Sequence, residues 1–275
     1  MSDLKPPFQA NSNRPHPRLW WITAVLIALN VGLFLWQIST GVDASQPSSR
    51  DAILWGADYA PLSFLAEPFR LFSSMFFHFG LIHLMLNMWA LFIFGSIAEQ
   101  LFGRVYFLCL YIFSGIMGSL LSGYIAIQNS ITLLEQGSIN SALMPNVSAG
   151  ASGAVMGLGA ALTILSLLPV LPRQRFIFDK KTLLMVMGLN LMLGFMITGI
   201  NNAAHIGGMI MGIALAVVWY VSEKFNASWL KVLGLSLAVL GLYLFYQYCL
   251  SLIQLILPFW TEVLQVMQQQ LGFSL

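Results

Sequence analysis

Residues 105–127 read VYFLCLYIFSGIMGSLLSGYIAI, an apolar stretch that contains no Asp, Glu, Lys or Arg. A helix needs roughly 20 such residues to cross the hydrocarbon core of a bilayer, so this stretch is long enough to span a membrane. A transmembrane β-barrel would instead show shorter segments of alternating polarity. The stretch therefore predicts a membrane-spanning α-helix.

The composition of the whole chain supports the same class. Of the 275 residues, 58% are hydrophobic and 8% are Asp, Glu, Lys or Arg, whereas soluble domains carry roughly 25% charged residues. So little charge cannot cover a surface in water, and so much apolar sequence excludes a disordered chain. The net charge of +2 provides no basic surface for nucleic acid. We therefore predict an all-α, polytopic membrane helix bundle.

Similar apolar runs recur along the chain and predict seven spans, the first of them too long for the apolar core of a signal peptide. The spans are Leu19–Ile38, Gly80–Ile97, Val105–Ile127, Ala149–Leu168, Leu183–Ile200, Ala203–Val221 and Val232–Ile256. Cys109 falls near the inner end of the third span and Cys249 near the outer end of the seventh. A disulfide requires Cα atoms about 4.4–6.8 Å apart, so we expect both thiols to be free.

The orientation is predicted from Lys and Arg, which concentrate on the cytoplasmic side of membrane proteins. If the spans alternate, most basic residues share one side: Lys5, Arg14, Arg18, Arg104, Arg173, Arg175, Lys180, Lys181, Lys224 and Lys231. We therefore expect a cytoplasmic N-terminus and an external C-terminus. The first outer loop, residues 39–79, is rich in aromatic residues, which predicts a structured loop partly sunk into the outer leaflet. An ordinary loop packed on the bundle is the alternative.

Polar side chains inside a membrane are costly and by default mark function. Ser152 and His205 each lie about 16 residues from the predicted inner end of their span, or roughly 24 Å at ~1.5 Å per residue. His83 stands at a similar height in the second span, roughly 21 Å. Asn87 follows His83 by one helical turn on the same face. Together these residues predict a nucleophilic site below the outer surface.

Glycines provide a way to bring these residues together. His205, Gly208 and Gly212 share one face of the sixth span, while Gly153 and Gly157 form a pair of small residues in the fourth. Such spacing lets two helix backbones approach closely in lipid. A serine and a histidine on facing helices could then reach the roughly 2.6–3.2 Å that proton transfer requires. The alternative is that the glycines only pack helices and the histidines are ordinary buried residues.

In their order and spacing these residues resemble the motifs of the rhomboid family of intramembrane serine proteases. The matching residues are Phe69-Arg70, His78, His83, Asn87, Gly95, Glu99, Gly103, Gly150-Ala151-Ser152-Gly153, and Ala204-His205 with Gly208 and Gly212. The resemblance runs from roughly Pro68 to Gly212. Two positions depart from the family pattern: Phe69 stands where tryptophan is usual, and Met156 where many members place an aromatic residue beside the catalytic histidine.

The resemblance implies a six-helix rhomboid-like catalytic core, residues 19–221, plus one C-terminal transmembrane helix. A cytoplasmic tail, residues 1–18, would precede the core, and the seventh helix with a C-terminal tail would occupy residues 222–275. The substrates it implies are single-pass transmembrane proteins in the lipid bilayer, cut near the outer end of their helix. Because the chain lacks an Arg- and Ser-rich transit peptide, we expect a bacterial plasma membrane.

The resemblance also assigns roles to single residues. It makes Ser152 the nucleophile and His205 its general base, and because no carboxylate is placed to complete a triad, we expect a dyad. The backbone N–H of Ser152 would stabilise the oxyanion, together with the side chains of His83 and Asn87.

Three further matching positions are expected to be structural. Arg70 and His78 would fix the first outer loop, and Glu99 would pair at the end of its helix, with Arg104 as a candidate partner.

Other chemistries fit the sequence less well. A zinc protease needs His-Glu-x-x-His, whereas the residues between His78 and His83 include no acid, and no predicted span holds an aspartate for an aspartyl protease. We expect no cofactor and no metal. A three-histidine metal site, a transporter, and a non-catalytic relative that binds membrane proteins are the alternatives. Transporters usually show internal repeats, and a non-catalytic relative would be expected to lack Ser152 or His205.

Overall fold

Helices make up most of the chain in the computed structural model, which describes residues 20–137, 140–171, 179–196 and 201–271. In chain order they are α1 (Trp21–Ser39), α2 (Ser49–Leu54), α3 (Ala60–Leu65), α4 (Arg70–Ser73), α5 (Leu81–Phe102), α6 (Arg104–Gln136), α7 (Ser152–Leu167), α8 (Lys180–Met196), α9 (Asn202–Lys224), α10 (Trp229–Ile253) and α11 (Leu257–Leu271). The described residues also include 3-10 turns at Ser74–Phe76 and Ser141–Leu143, and two short strands, β1 (Asp58–Tyr59) and β2 (Val147–Ser148).

Each of the seven predicted spans overlaps one helix, and the prediction of an all-α polytopic bundle is confirmed. By length and composition, α1, α5, α6, α9 and α10 can each cross a membrane, while α7 is a shorter apolar helix. Residues 197–200, which end the predicted fifth span, lie outside the described residues. The predicted tail 1–18 lies outside them too, as do Arg173 and Arg175.

The helix that begins with Ser152 lies at the centre of the bundle. α7 packs against α5, α6, α8 and α9, and every residue from Gly153 to Thr163 is buried. Because its neighbours separate α7 from lipid, this helix can be short and can carry polar groups at its start. α10, in contrast, exposes most of its apolar side chains at the outside of the bundle.

The first outer loop is structured, and Arg70 holds it from within; that it is partly sunk into the outer leaflet stays a prediction. The Arg70 side chain is buried, and its Nη1 donates to the carbonyl oxygens of Ile53 at 2.7 Å and Ala57 at 3.0 Å. Its Nε donates to the carboxylate of Glu67 at 2.6 Å. Because a buried guanidinium with these partners ties three parts of the loop together, α2, β1 and α4 keep a fixed arrangement.

A short pair of strands joins this loop to the chain before the candidate nucleophile. β1 and β2 are antiparallel, with Asp58 opposite Ser148 and Tyr59 opposite Val147. Since β2 ends only a few residues before Ser152, the conformation of the first outer loop is linked directly to the start of α7.

The partner of Glu99 differs from the one expected. Its carboxylate accepts hydrogen bonds from the backbone N–H groups of Ile22 at 3.1 Å and Thr23 at 2.8 Å, and from the Thr23 hydroxyl at 2.8 Å. These N–H groups belong to the first turn of α1, where a negative charge is favourable. Gly95 allows the approach, because a Cβ there would lie 2.9 Å from Thr23 Cγ2. The partners that the described residues offer Glu99 are therefore on α1, and Glu99 joins α5 to α1.

The C-terminal segment contains a helix that hydropathy does not reveal. α11 is amphipathic: Trp260 and Leu264 are buried, whereas Glu262 and Val266 are exposed. Its polar residues keep its mean hydropathy low, so it does not resemble a membrane span. Both cysteines of the chain are free, which confirms that prediction.

Candidate active site

The turn that presents Ser152 depends on a glycine. Ser152 is the first residue of α7 and is half-buried. Gly150, two residues earlier, has a φ of +127°, a conformation that side chains other than glycine rarely adopt. A Cβ at Gly150 would also lie 2.8 Å from Cε1 and 3.0 Å from Nε2 of His83. Glycine therefore permits both the turn and the close approach of the imidazole.

The first outer loop holds this turn in place. The N–H of Gly150 donates to the Ser74 carbonyl oxygen at 2.9 Å, and the N–H of Ala151 donates to Nε2 of His78 at 3.4 Å. His78 is fully buried. Burial, helped by the neighbouring His83, lowers the pKa of His78 to about 3. Its ring is therefore neutral near pH 7, and Nε2 can accept the hydrogen bond.

The helix that carries His205 begins at a well-satisfied cap. Asn201 is the N-cap of α9, and its Oδ1 accepts a hydrogen bond from the N–H of Ala204 at 3.0 Å. Its Nδ2 donates to the hydroxyls of Ser122 at 2.6 Å and Ser148 at 2.9 Å. The Asn201 carbonyl accepts from the N–H of His205 at 3.2 Å. One side chain thus ties the start of α9 to α6 and to β2.

Glycines bring α7 and α9 into backbone contact. A Cβ at Gly153 would lie 3.3 Å from the Ala204 carbonyl oxygen, and one at Gly157 would lie 2.8 Å from that of Gly208. A Cβ on Gly208 or Gly212 would collide with the carbonyl oxygens of Gly153 and Gly157, respectively. The predicted small-residue packing of these two helices is confirmed.

Ser152 and His205 lie beside one of these contacts. Ser152 precedes Gly153 and His205 follows Ala204, and Gly153 and Ala204 touch. The His205 side chain is buried, and Ser152 is half-buried. Among the described residues, no hydrogen bond joins the two side chains. Such bonds are often long in a site without substrate and tighten when substrate binds.

The His83 ring lies against the turn before Ser152 and accepts a hydrogen bond from the backbone. Its Nδ1 accepts from the N–H of Phe79 at 3.2 Å, so the neutral ring carries its proton on Nε2. Of the two ring nitrogens, Nε2 is the nearer to Gly150. Asn87, one turn further along α5, donates from Nδ2 to the His83 carbonyl at 2.9 Å and keeps a second amide N–H.

The predicted residues divide into two groups. Ser152, His205 and His83 lie at one end of the bundle, since Ser152 and His205 neighbour the contacting pair Gly153 and Ala204 and His83 lies against Gly150. Asn87 lies one turn further along α5. Arg70 lies inside the first outer loop, and Glu99 lies near the opposite end of α5.

Two contributors were missed from the sequence. Asn201 could have been found, because asparagine just before an apolar helix is a favoured N-cap. Ser74 contributes through its backbone carbonyl, which has no sequence signal.

The histidines are not arranged as metal ligands. In the described part of the chain, no three His, Cys, Asp or Glu side chains are grouped closely enough to hold a metal ion. The rings of His78 and His83 contact edge to face, with centroids 5.2 Å apart, and the acceptor nitrogen of each is occupied by a backbone N–H. A hydroxyl, a base and hydrogen-bond donors together suit nucleophilic acyl transfer.

Known proteins share this region of the chain. The family model of the Rhomboid domain matches residues 65–224. Rhomboid protease AarA of Providencia stuartii is 32% identical over 241 residues, 82% of this chain and 82% of that protein. Rhomboid protease GluP of Bacillus subtilis is 31% identical over 192 residues, 69% of this chain and 33% of that protein. RHOMBOID-like protein 2 of Arabidopsis thaliana is 34% identical over 165 residues, 58% of this chain and 45% of that protein.

Proposed function

The chain belongs to the rhomboid family and is an intramembrane serine protease, and we propose that Ser152 and His205 form its catalytic dyad. The resemblance in the sequence motifs is thus confirmed at the level of the family. One observation carries the residue assignment: α7 and α9 touch at Gly153 and Ala204, the residues next to the serine and the histidine. The protein is integral to the membrane and acts on transmembrane substrates within the bilayer.

In the proposed mechanism, Ser152 Oγ attacks the carbonyl carbon of the scissile peptide bond while His205 takes the hydroxyl proton. His205 then gives that proton to the leaving amine, and an acyl-enzyme remains. A water molecule, deprotonated by His205, attacks the acyl-enzyme and restores the Ser152 hydroxyl. Nδ1 of the buried His205 has no hydrogen-bond partner among the described residues, which favours a dyad over a triad.

The tetrahedral intermediate carries a negative oxygen that needs preorganised donors. We assign this role to the backbone N–H of Ser152, to Nε2–H of His83 and to the amide of Asn87. The Ser152 N–H stands at the N-terminus of α7, where the helix dipole favours negative charge. His83 is supported as a donor by the hydrogen bond from Phe79, which fixes the proton on Nε2.

The substrates and the orientation follow as further proposals. We assign single-pass transmembrane proteins as substrates, and a bacterial plasma membrane as the location, with residues 1–18 in the cytoplasm and the C-terminus outside. Residues 19–221 would form the catalytic core, and 222–275 would add the seventh helix and a C-terminal tail. The distribution of Lys and Arg supports this orientation, and two of the proteases described above are bacterial.

Covalent labelling with a fluorophosphonate tests the assignment of the nucleophile. The wild-type protein in liposomes should be labelled, and Ser152→Ala should not. Ser166→Ala is a matched control, because Ser166 lies on the same helix and, within the described ranges, its hydroxyl bonds the Thr163 carbonyl alone. Equal labelling of the Ser152→Ala protein would refute the assignment. Activity that chelators abolish and fluorophosphonates leave intact would move the chemistry to a metal.

A further inference from the structure

The last helix of the chain is attached to the first outer loop through a buried tryptophan. Trp260 of α11 is fully buried, and its Nε1 donates to the hydroxyl of Ser130, near the end of α6, at 2.9 Å. Its ring lies beside Phe64 of α3, with centroids 6.5 Å apart. Phe64 in turn stacks on Tyr246 of α10 at 5.6 Å. Aromatic residues of α10 and α11 therefore pack on both sides of one side chain of the first outer loop, Phe64.

A second contact extends this attachment along α11. Leu264, one turn beyond Trp260, is buried in a small apolar cluster with Ile53 of α2 and Leu62 of α3. Much of α10 is exposed, whereas buried residues recur every three or four positions from its end through α11: Cys249, Ile253, Ile256, Trp260 and Leu264. Within the C-terminal segment, the buried residues Trp260 and Leu264 of α11 therefore make the contacts with the end of α6 and with the first outer loop.

From α3 the contacts lead to the strand that precedes the nucleophile. The Ser63 hydroxyl on α3 donates to Asp58 Oδ1 at 2.5 Å and accepts from the N–H of Tyr59 at 3.3 Å. These two residues form β1, which pairs with β2, where Ser148 also bonds Asn201 at the start of α9. Two-residue strands are too short to hold each other unaided. Their pairing therefore depends on the groups that hold β1, which are Ser63 of α3 as well as Arg70.

We propose that α11 is a positioning element for catalysis: by holding α3, it keeps β1 paired with β2 and so holds the turn before Ser152 in its reactive conformation. This inference rests on the proposed role of Ser152. The segment after residue 224 lies beyond the Rhomboid domain match. The proposal assigns this segment a role in positioning the nucleophile. The contacts run from Trp260 to Phe64 on α3, from Ser63 on α3 to β1, and from β1 to β2.

Substitutions on the buried face of α11 test the proposal in the full-length protein in liposomes. Trp260→Ala should lower kcat by about tenfold to a hundredfold, since small misplacements of a reacting group have effects of this order. Leu264→Ala removes only the second contact and should lower kcat less. Val266→Ala is the matched control, because Val266 lies on the same helix and is exposed; its kcat should equal that of the wild type. Unchanged kcat in both buried-face variants would overturn the proposal.

A cross-link separates positioning from general stability. Tyr59→Cys and Val147→Cys replace opposed strand residues, whose Cα atoms in an antiparallel pair lie about 4.5–5.5 Å apart, within the range of a disulfide. In the Trp260→Ala protein, oxidation of this pair should restore kcat, and reduction should abolish the gain. Mass spectrometry distinguishes the new disulfide from the native Cys109 and Cys249.

The outcomes distinguish the two proposals. A cross-link that forms without restoring kcat refutes the role of α11, while Ser152-dependent fluorophosphonate labelling of the wild type keeps the proposed function intact. Labelling that does not depend on Ser152 refutes the proposed function itself, and the role of α11 falls with it.

Discussion

His78, His83 and His205 lie at the same end of the bundle but differ in which ring nitrogen is occupied. His78 accepts a backbone hydrogen bond at Nε2, whereas His83 accepts one at Nδ1, which leaves its proton on Nε2, on the ring edge that lies against Gly150. Nδ1 of His205 has no partner among the described residues. This division fits one histidine that supports the turn, one that donates to the oxyanion and one that exchanges protons with Ser152.

The oxyanion donors can be tested one at a time. His83→Ala removes a donor and the ring against Gly150, and should lower kcat by roughly 10²–10³. Asn87→Ala should lower it by a similar or smaller factor, because other donors remain. Both proteins should retain more activity than Ser152→Ala in steady-state cleavage assays. Asn87→Ala activity as low as that of Ser152→Ala would contradict the assignment of Asn87 as one donor among several.

His78 predicts a specific dependence of stability on pH. Its pKa is about 3 in the folded protein against an ordinary value of 6.5 for histidine, so between these values the unfolded chain binds the extra proton. Stability contributed by His78 is therefore complete above pH 6.5 and is lost as the pH falls toward 3. His78→Gln keeps an acceptor but does not titrate. Thermal midpoints in detergent should therefore fall less on acidification in the variant than in the wild type.

The comparison of the two proteins also removes the effect of Asp58. Burial raises the pKa of Asp58 to about 7, so its contribution has the opposite sign and decreases as the pH rises from 3.8 to about 7. Since both proteins contain Asp58, its effect cancels in the difference. Parallel curves for the wild type and His78→Gln would contradict the assigned state of His78.

At the scale of the elements, the packing of α7 against α9 sets the distance between the two residues of the proposed dyad, Ser152 and His205. Gly208→Ala should force these helices apart, because the new Cβ would collide with the Gly153 carbonyl oxygen. We expect strongly reduced cleavage and a lower thermal midpoint. Gly241→Ala on α10 is the matched control, since nothing lies within 4 Å of that Cβ position and alanine favours a helix. A fully active Gly208→Ala protein would contradict this account of the packing.

The spans were predictable because an apolar run of about 20 residues with few charges almost always forms a membrane-spanning helix. Gly153 and Gly157 on one helix, and Gly208 and Gly212 on the other, were predictable as packing faces because helix periodicity places each pair on one side. The partner of Glu99 was not predictable: Arg104 is near in sequence, but the actual partners are N–H groups of α1 that only the fold brings close. α11 was missed because its apolar face is a single stripe and its overall hydropathy is low.

At the scale of the whole molecule, α11 connects the C-terminal end of the chain to the loop that surrounds the candidate site. Its Trp260 contacts the end of α6, and its Leu264 contacts the first outer loop, whose Ser74 and His78 hold the turn before Ser152. The described end of the chain therefore lies on the same face of the bundle as the candidate site.

A reporter fused after Leu275 should accordingly be exported. A phosphatase that folds only outside the cytoplasm should be active in the fusion, and a reporter that works only in the cytoplasm should be inactive. The same pair of reporters fused after Lys224, at the end of α9, should give the reverse pattern. A Leu275 fusion active only in the cytoplasm would contradict the seven-span orientation.

Cleavage of a single-pass transmembrane substrate by purified protein in liposomes tests the proposed dyad most directly. Ser152→Ala and His205→Ala should each abolish cleavage while the proteins stay folded, and the double variant should be no worse than either single one, because residues that act as a unit are not additive. Cleavage at the wild-type rate by folded Ser152→Ala protein would contradict the account.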